Sequence, residues 1–292
     1  MRPSSQSESR RRLILAGSRS VLLAIGLAVA IGSIAVVAAQ TRGQAVTEQP
    51  VRESGQSVTG AFEGWYQNPD GSYSLLLGYF NRNSAETLEI PAGPNNRIDP
   101  GGPDQGQPTT FLPRRQWGVF RVVVPKDFGS KKLTWTIVAN GQTTSVPLSL
   151  NPLWVVEPLK DAGNGNTPPA IKFEPTGPSF TGPPHAIAKS LTTKLAEPLA
   201  LPIWVSDDKP LRGGRGAAGG PVSWSKFRGP GAVTFEPARP APDPEGKTVT
   251  TAKFAAPGEY ILRVQANDST GDGGGGFQCC WTNVQVKVTV SP

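Results

Sequence analysis

Side chains that bind transition metals or act as strong nucleophiles are scarce in this chain. Its 292 residues include one histidine (His185), one methionine, and two cysteines that stand side by side, Cys279 and Cys280. A structural zinc site built from Cys and His alone needs four such ligands, and one His with an adjacent Cys pair is too few for it. A Ser-His-Asp site would have to use His185, which lies in Pro183-Pro184-His185-Ala186 with no acid close to it in sequence. No Gly-x-Ser-x-Gly elbow occurs anywhere, so triad catalysis is not expected and His185 reads as a surface histidine. Charge is thin as well, at 17% of residues, and no amphipathic helical stretch is found. What the chain has instead is 34 glycines and 30 prolines. Both are the worst residues for a helix interior, so the expected class is all-β.

The N-terminus is the exception to the rule of short apolar runs. Five arginines against Glu8 precede an uncharged stretch from Val21 to Ala39. Basic start, apolar middle and small residues before a polar segment form the pattern of an export signal, with Val37 and Ala39 at the −3 and −1 positions of a cut before Gln40. The same stretch, at ~1.5 Å per residue, would also span roughly 28 Å and serve as an uncleaved anchor. Residues 1–39 are therefore an export signal or membrane anchor, the only membrane contact expected is through 13–39, and the remainder is exported to the periplasm, the cell surface or the medium. The formal charge of +7 divides accordingly. The first 39 residues carry +4, residues 57–158 are neutral, and residues 165–292 carry +3. The basic balance marks an address and gives no reason to expect nucleic acid.

Residues 40–56 read as a flexible polar spacer. Between 57 and 156, short apolar runs alternate with turn signals. Strands are expected at Ala61–Tyr66, Tyr73–Asn81, Thr87–Ile90, Trp117–Val124, Leu133–Ala139 and Thr143–Leu150. Asn68-Pro69-Asp70-Gly71 marks a turn, and Asn140-Gly141 is a strong hairpin signal. Pro91 to Gln107 is expected to be a surface loop. Six or seven short strands with no helix point to a β-sandwich. Residues 157–169 are a second Gly/Pro/Asn-rich joint, and a second strand series runs over 170–292. In its last two strands Tyr260, Leu262, Val264 and Ala266 share one face, as do Val284, Val286, Val288 and Val290. That fits the closing antiparallel pair of an immunoglobulin-like sandwich.

The string Val222-Ser-Trp-Ser-Lys-Phe-Arg-Gly-Pro-Gly-Ala-Val-Thr-Phe235, then Thr248–Phe254, then Pro257-Gly-Glu-Tyr-Ile-Leu-Arg-Val-Gln-Ala-Asn-Asp268 and the Val284–Val290 strand resemble the bacterial polycystic-kidney-disease-like (PKD-like) domains. The match is close over about 220–292 and by pattern alone over 165–210. It departs in the Gly-rich loop Arg212–Gly220 and the insertion Ser269–Trp281. The resemblance implies an exported, non-catalytic Ig-like module that spaces domains or contacts protein or glycan, and it brings no catalytic residues or cofactor. No family resemblance is found for 57–156.

The remaining candidates are few. Gly214-Arg-Gly-Ala-Ala-Gly219 matches a dinucleotide fingerprint formally but lacks the preceding strand and following helix, so it reads as a solvated loop. Asp207, Asp208, Asp268 and Asp272, with Asn267, lie near strand ends and offer oxygens for Ca²⁺, although without the dense ligand spacing of a dedicated site. Cys279 and Cys280 leave three outcomes: free thiols, a vicinal disulfide, or bonds between chains, with an oxidising compartment favouring a bond. Trp204, flanked by Ile203 and Val205, is the candidate for stacking on a ligand. A carboxylate site in the first sandwich, using Glu63, Glu86 or Glu89, is the alternative that would make the chain a weak hydrolase or its accessory.

Overall fold

The computed structural model describes residues 52–157, 165–207, 222–267 and 280–292. The expected signal or anchor, most of the spacer, the G-x-G-x-x-G loop, Asp208, Asp268, Asp272 and Cys279 lie outside them. Among the described residues no helix is long and apolar enough to cross a membrane. The architecture is all-β and the chain from Val51 to Pro292 forms one compact body.

The first sandwich is built on two three-stranded sheets. One has the order β1 (Val58–Gln67), β2 (Tyr73–Asn81), β6 (Arg114–Val124). The other has the order β4 (Asn96–Asp99), β7 (Lys132–Ala139), β8 (Gln142–Ser149). A short pair, β3 (Leu88–Glu89) and β5 (Thr110–Phe111), closes one flank. Leu133, Trp135 and Ile137 alternate inward from β7 and meet Leu75, Leu77, Tyr79 and Phe120. Trp135 is fully buried, edge-on to Phe120 at 5.1 Å between ring centroids. Asn140 and Gly141 both take positive φ, as a type I′ hairpin requires.

Two expectations fail here. The Thr87–Ile90 strand shrinks to two residues, and Pro91–Gln107 is not merely a surface excursion because it contains β4. Asn96 explains why a polar loop can dive inward. Its Nδ2 donates to Ile90 O (2.9 Å) and Pro108 O (2.8 Å), and its Oδ1 accepts from Trp135 Nε1 (3.0 Å). One buried amide thus satisfies two loop carbonyls and the indole, which removes the desolvation cost of burying them.

The second sandwich packs a five-stranded sheet on a four-stranded one. The five-stranded order is β10 (Phe180–Thr181), β9 (Ala170–Lys172), β12 (Leu199–Ser206), β15 (Lys247–Phe254), β14 (Val233–Glu236). The four-stranded order is β11 (Ile187–Lys194), β17 (Trp281–Ser291), β16 (Gly258–Asn267), β13 (Val222–Arg228). The alternating faces of β16 and β17 pair antiparallel and fill the core with Trp224, Leu201 and Ile203. Tyr260 Oη donates to Ala256 O (2.7 Å), a backward bond like the tyrosine corner of immunoglobulin-type sandwiches. β11 runs parallel to β17 and was not apparent in the sequence, because its edge position leaves its apolar residues partly exposed.

Candidate functional site

Antiparallel sheets commonly keep a polar face in water. At the Asn267–Trp281 end of β16–β17 the outward face does not: Arg263, Gln265, Trp281 and Asn283 are all buried, with Arg263, Trp281 and Asn283 against the first sandwich. The contact is organised by β-bulges, which add a residue to one strand and re-aim side chains. Three of the four register shifts among the described strand pairs fall at this joint, around Glu63, Gly118 and Phe227.

Each of the three residues does something different. Glu63, between Phe62 and Gly64 on β1, turns its buried carboxylate to Arg115 Nη2 (2.6 Å) and the Gly118 amide (2.7 Å). Burial pushes this carboxyl above its usual value, more than Arg115 and the amide pull it down. The pair fits only because residue 78 is glycine, since a Cβ there would lie 2.1 Å from Glu63 Oε1. Gly118 sits at φ +49, takes Asn283 Nδ2 on its carbonyl (2.7 Å), and lies against the Trp281 ring. Phe227 belongs to β13 of the second sandwich, yet its ring is buried in the apolar cluster of the first. Its carbonyl accepts from Thr109 N (3.1 Å).

Arg228, next along, forks onto both carboxylate oxygens of Asp104 at 2.8 Å each and also donates to Gln107 O. Bonding to Arg228 holds the Asp104 carboxyl below its usual range. Lys226 reaches Glu89 Oε1 (2.8 Å), whose other oxygen accepts from Thr110 Oγ1 (2.9 Å). Arg263 Nη2 donates to Gln116 Oε1 (3.1 Å).

Beside the joint lies a cleft of about 880 Å³, floored by β13 and bordered by both sandwiches. Its lining includes Glu89, Trp224, Lys226, Phe235, Arg239 and Arg263. The volume falls within the roughly 300–1,000 Å³ typical of ligand clefts. Trp224 and Phe235 stack on each other at 6.5 Å, so the aromatic wall is partly self-occupied.

The residues singled out from sequence scatter. Trp204 is half-buried on β12 with the Lys247 ammonium 5.5 Å from its ring, and it does not line the cleft. Asp207 is half-buried and partnered, and Asn267 ends β16 at the cleft rim. Among the described residues no group of three or more His, Cys, Asp or Glu side chains converges for a metal. Glu86 accepts from the Gly55 amide (2.7 Å), and of the three glutamates Glu89 alone borders the cleft. His185 bonds Thr181 O through Nε2 (3.0 Å) and packs edge-on to Phe180, so it is more enclosed than a surface histidine. Burial holds its pKa below the usual value. Cys280 is buried and disulfide-bonded, 3.7 Å from Asn166 O. Sequence reasoning missed Gly118, Phe227, Arg228 and Arg263. The one signal for Arg263 was its place opposite Leu262 and Val264, which reads equally as a solvated face.

No protein-family model matches the chain, and no curated protein sequence matches it. Among solved structures it is similar to the D00-D0 domain of intimin, with 15% identity and a TM-score of 0.24 over 80% of this chain and 100% of that one. It is also similar to domains 4 and 5 of the S-layer protein SbsC, with 10% identity and a TM-score of 0.25 over 81% and 98%. The D0-D1 domain of intimin gives 10%, 0.23, 80% and 94%.

Proposed function

We propose that this chain is an exported, non-catalytic structural or adhesive module of a bacterial-type cell envelope, contacting protein or glycan at the surface. The observation that carries the reading is the joint. A spacer that must transmit position needs its sandwiches held in one orientation, and here an apolar plug, a bidentate ion pair and a glycine contact all cross the boundary. Relative motion is the default for two domains of one chain unless such contacts oppose it. The basic and apolar N-terminal segment supports export. The carboxylates that could have served hydrolysis are engaged otherwise: Glu63 with Arg115, Glu86 with a backbone amide, Glu89 with Lys226. The PKD-like pattern over 220–292 supports a contact module.

The test is to incubate the full-length chain with envelope polysaccharides and surface proteins, measuring bound fraction and released product together. Saturable retention without product is expected. Release of sugar or peptide products would overturn the non-catalytic reading.

A further inference from the structure

A guanidinium taken out of water is costly unless an anion compensates it. Arg263 is 5% exposed, lines the cleft, and makes a single hydrogen bond, to the neutral side-chain amide of Gln116. Among the described residues no carboxylate pairs with it. The acid nearest in role, Glu89, is already held by Lys226 and Thr110. The unsatisfied Trp224 indole adds nothing to this donor set, because Trp224 pairs with core-facing Val264 and Ser225 is the residue across from Arg263. The cleft therefore presents a buried fork of donors, with exposed Arg239 adding positive charge at its rim.

We infer that this interdomain cleft binds an acidic saccharide, its carboxylate seated on Arg263 and its hydroxyls on Ser223 and Ser225, which stand on the same face of the sheet. Arg suits a carboxylate because its planar donors match both oxygens. Hydroxyl and amide side chains around it, Ser223, Ser225, Thr87 and Gln265, both donate and accept, which suits a hydroxyl-rich body. The rival occupant, an acidic peptide adding a strand to the edge of β13 that pairs with no other strand among the described residues, fits less well. Strand addition needs a run of open backbone groups, and the Phe227 carbonyl is taken by Thr109. The inference deepens the adhesive reading by naming a ligand class for one cleft.

The test uses the full-length chain and three probes: a uronic-acid trisaccharide, its methyl ester, and an aspartate-rich decapeptide, each titrated by calorimetry. The trisaccharide is expected to bind saturably and to weaken with salt. The ester, which keeps the shape and loses the charge, should bind on the order of tenfold more weakly or worse, and so should Arg263→Gln toward the acid. Without ligand, Arg263→Gln should melt no lower than the parent, because it removes an uncompensated buried charge. Should that variant fold poorly, Arg239→Ala at the exposed rim serves, with a smaller loss and a flatter salt dependence expected. Equal binding of acid and ester, no binding of the acid, or binding of the peptide alone would overturn the proposal. Retention on envelope material together with no binding of the trisaccharide would leave the adhesive reading standing while this one fails. Cleavage of the trisaccharide would do the reverse.

Discussion

Replacing Phe227 by Ala separates the joint from the fold of the sandwich that carries it. The ring is 3% exposed and belongs to the apolar cluster of the first sandwich, although the residue sits on β13 of the second. The Thr109–Phe227 bond is made by backbone atoms and survives the substitution, so the loss is one of packing. Large-to-small changes of a buried Phe cost about 3–5 kcal/mol, from lost burial plus the cavity left behind. For a compact body of this size, about 2–4 °C per kcal/mol converts that to a fall of about 6–20 °C in Tm. Urea unfolding measures the total, and hydrogen exchange read by peptide locates it. Faster exchange is expected at Leu75–Tyr79 and Val119–Val124, across the joint, more than at Val284–Val290. Phe235→Ala, whose ring packs against the second cluster, should give the opposite distribution. A loss under about 1 kcal/mol, or faster exchange confined to the second sandwich, would refute the assignment of Phe227 as a plug.

The other predictions follow from single contacts. Gly118→Ala combines a positive φ with a Cβ only 2.9 Å from Trp281 Cζ2, so a loss of about 1–3 kcal/mol and an altered small-angle scattering profile are expected. Arg228→Gln should reduce the salt dependence of stability relative to the parent, measured by urea midpoints at low and high ionic strength, because the fork onto Asp104 is lost. His185, with its pKa held down by burial, contributes stability that is present above about pH 6.5, its unfolded value, and lost as pH falls through its lower folded value. His185→Gln should flatten that acid slope in a pH series of melts. Trp204→Ala should leave the fold and uronate binding unchanged, since Trp204 lies off the cleft, and a weakened titration would contradict the cleft assignment.

Strand positions were largely legible because core strands write their burial as alternation. Tyr260 to Ala266 and Leu133 to Ala139 could be read directly, and Tyr73–Asn81 coincides with β2. Elements that escaped carry no such alternation. β4 hides in a Gly/Pro-rich loop because Asn96 satisfies it from inside, and β11 is an exposed parallel edge. The joint was invisible for a different reason. Alternation tells which face meets the core of its own sandwich, and the other face then reads as solvent whether water or a neighbouring domain lies there. Arg263, Gln265 and Asn283 are written in the sequence like surface residues. A bulge has the same defect, because one inserted residue such as Glu63 or Phe227 has no composition of its own.

The joint and the cleft are one device on this account. An arginine on the outward face of an immunoglobulin-type sheet is ordinarily hydrated and has no special affinity for a carboxylate. Arg263 becomes a strong site only when the first sandwich is pressed onto that face, which strips its water and leaves it one neutral partner. Substitutions at Phe227 or Gly118, which do not line the cleft, should therefore weaken uronate binding by loosening the cover. The reverse also holds: a ligand that binds the closed arrangement better must stabilise the joint by RT ln(1 + [L]/Kd), about 2.7 kcal/mol at a hundredfold excess over Kd. Binding that raised Tm in the parent but not in Phe227→Ala would tie the two together. An equal rise in both would mean that the cleft and the joint act independently.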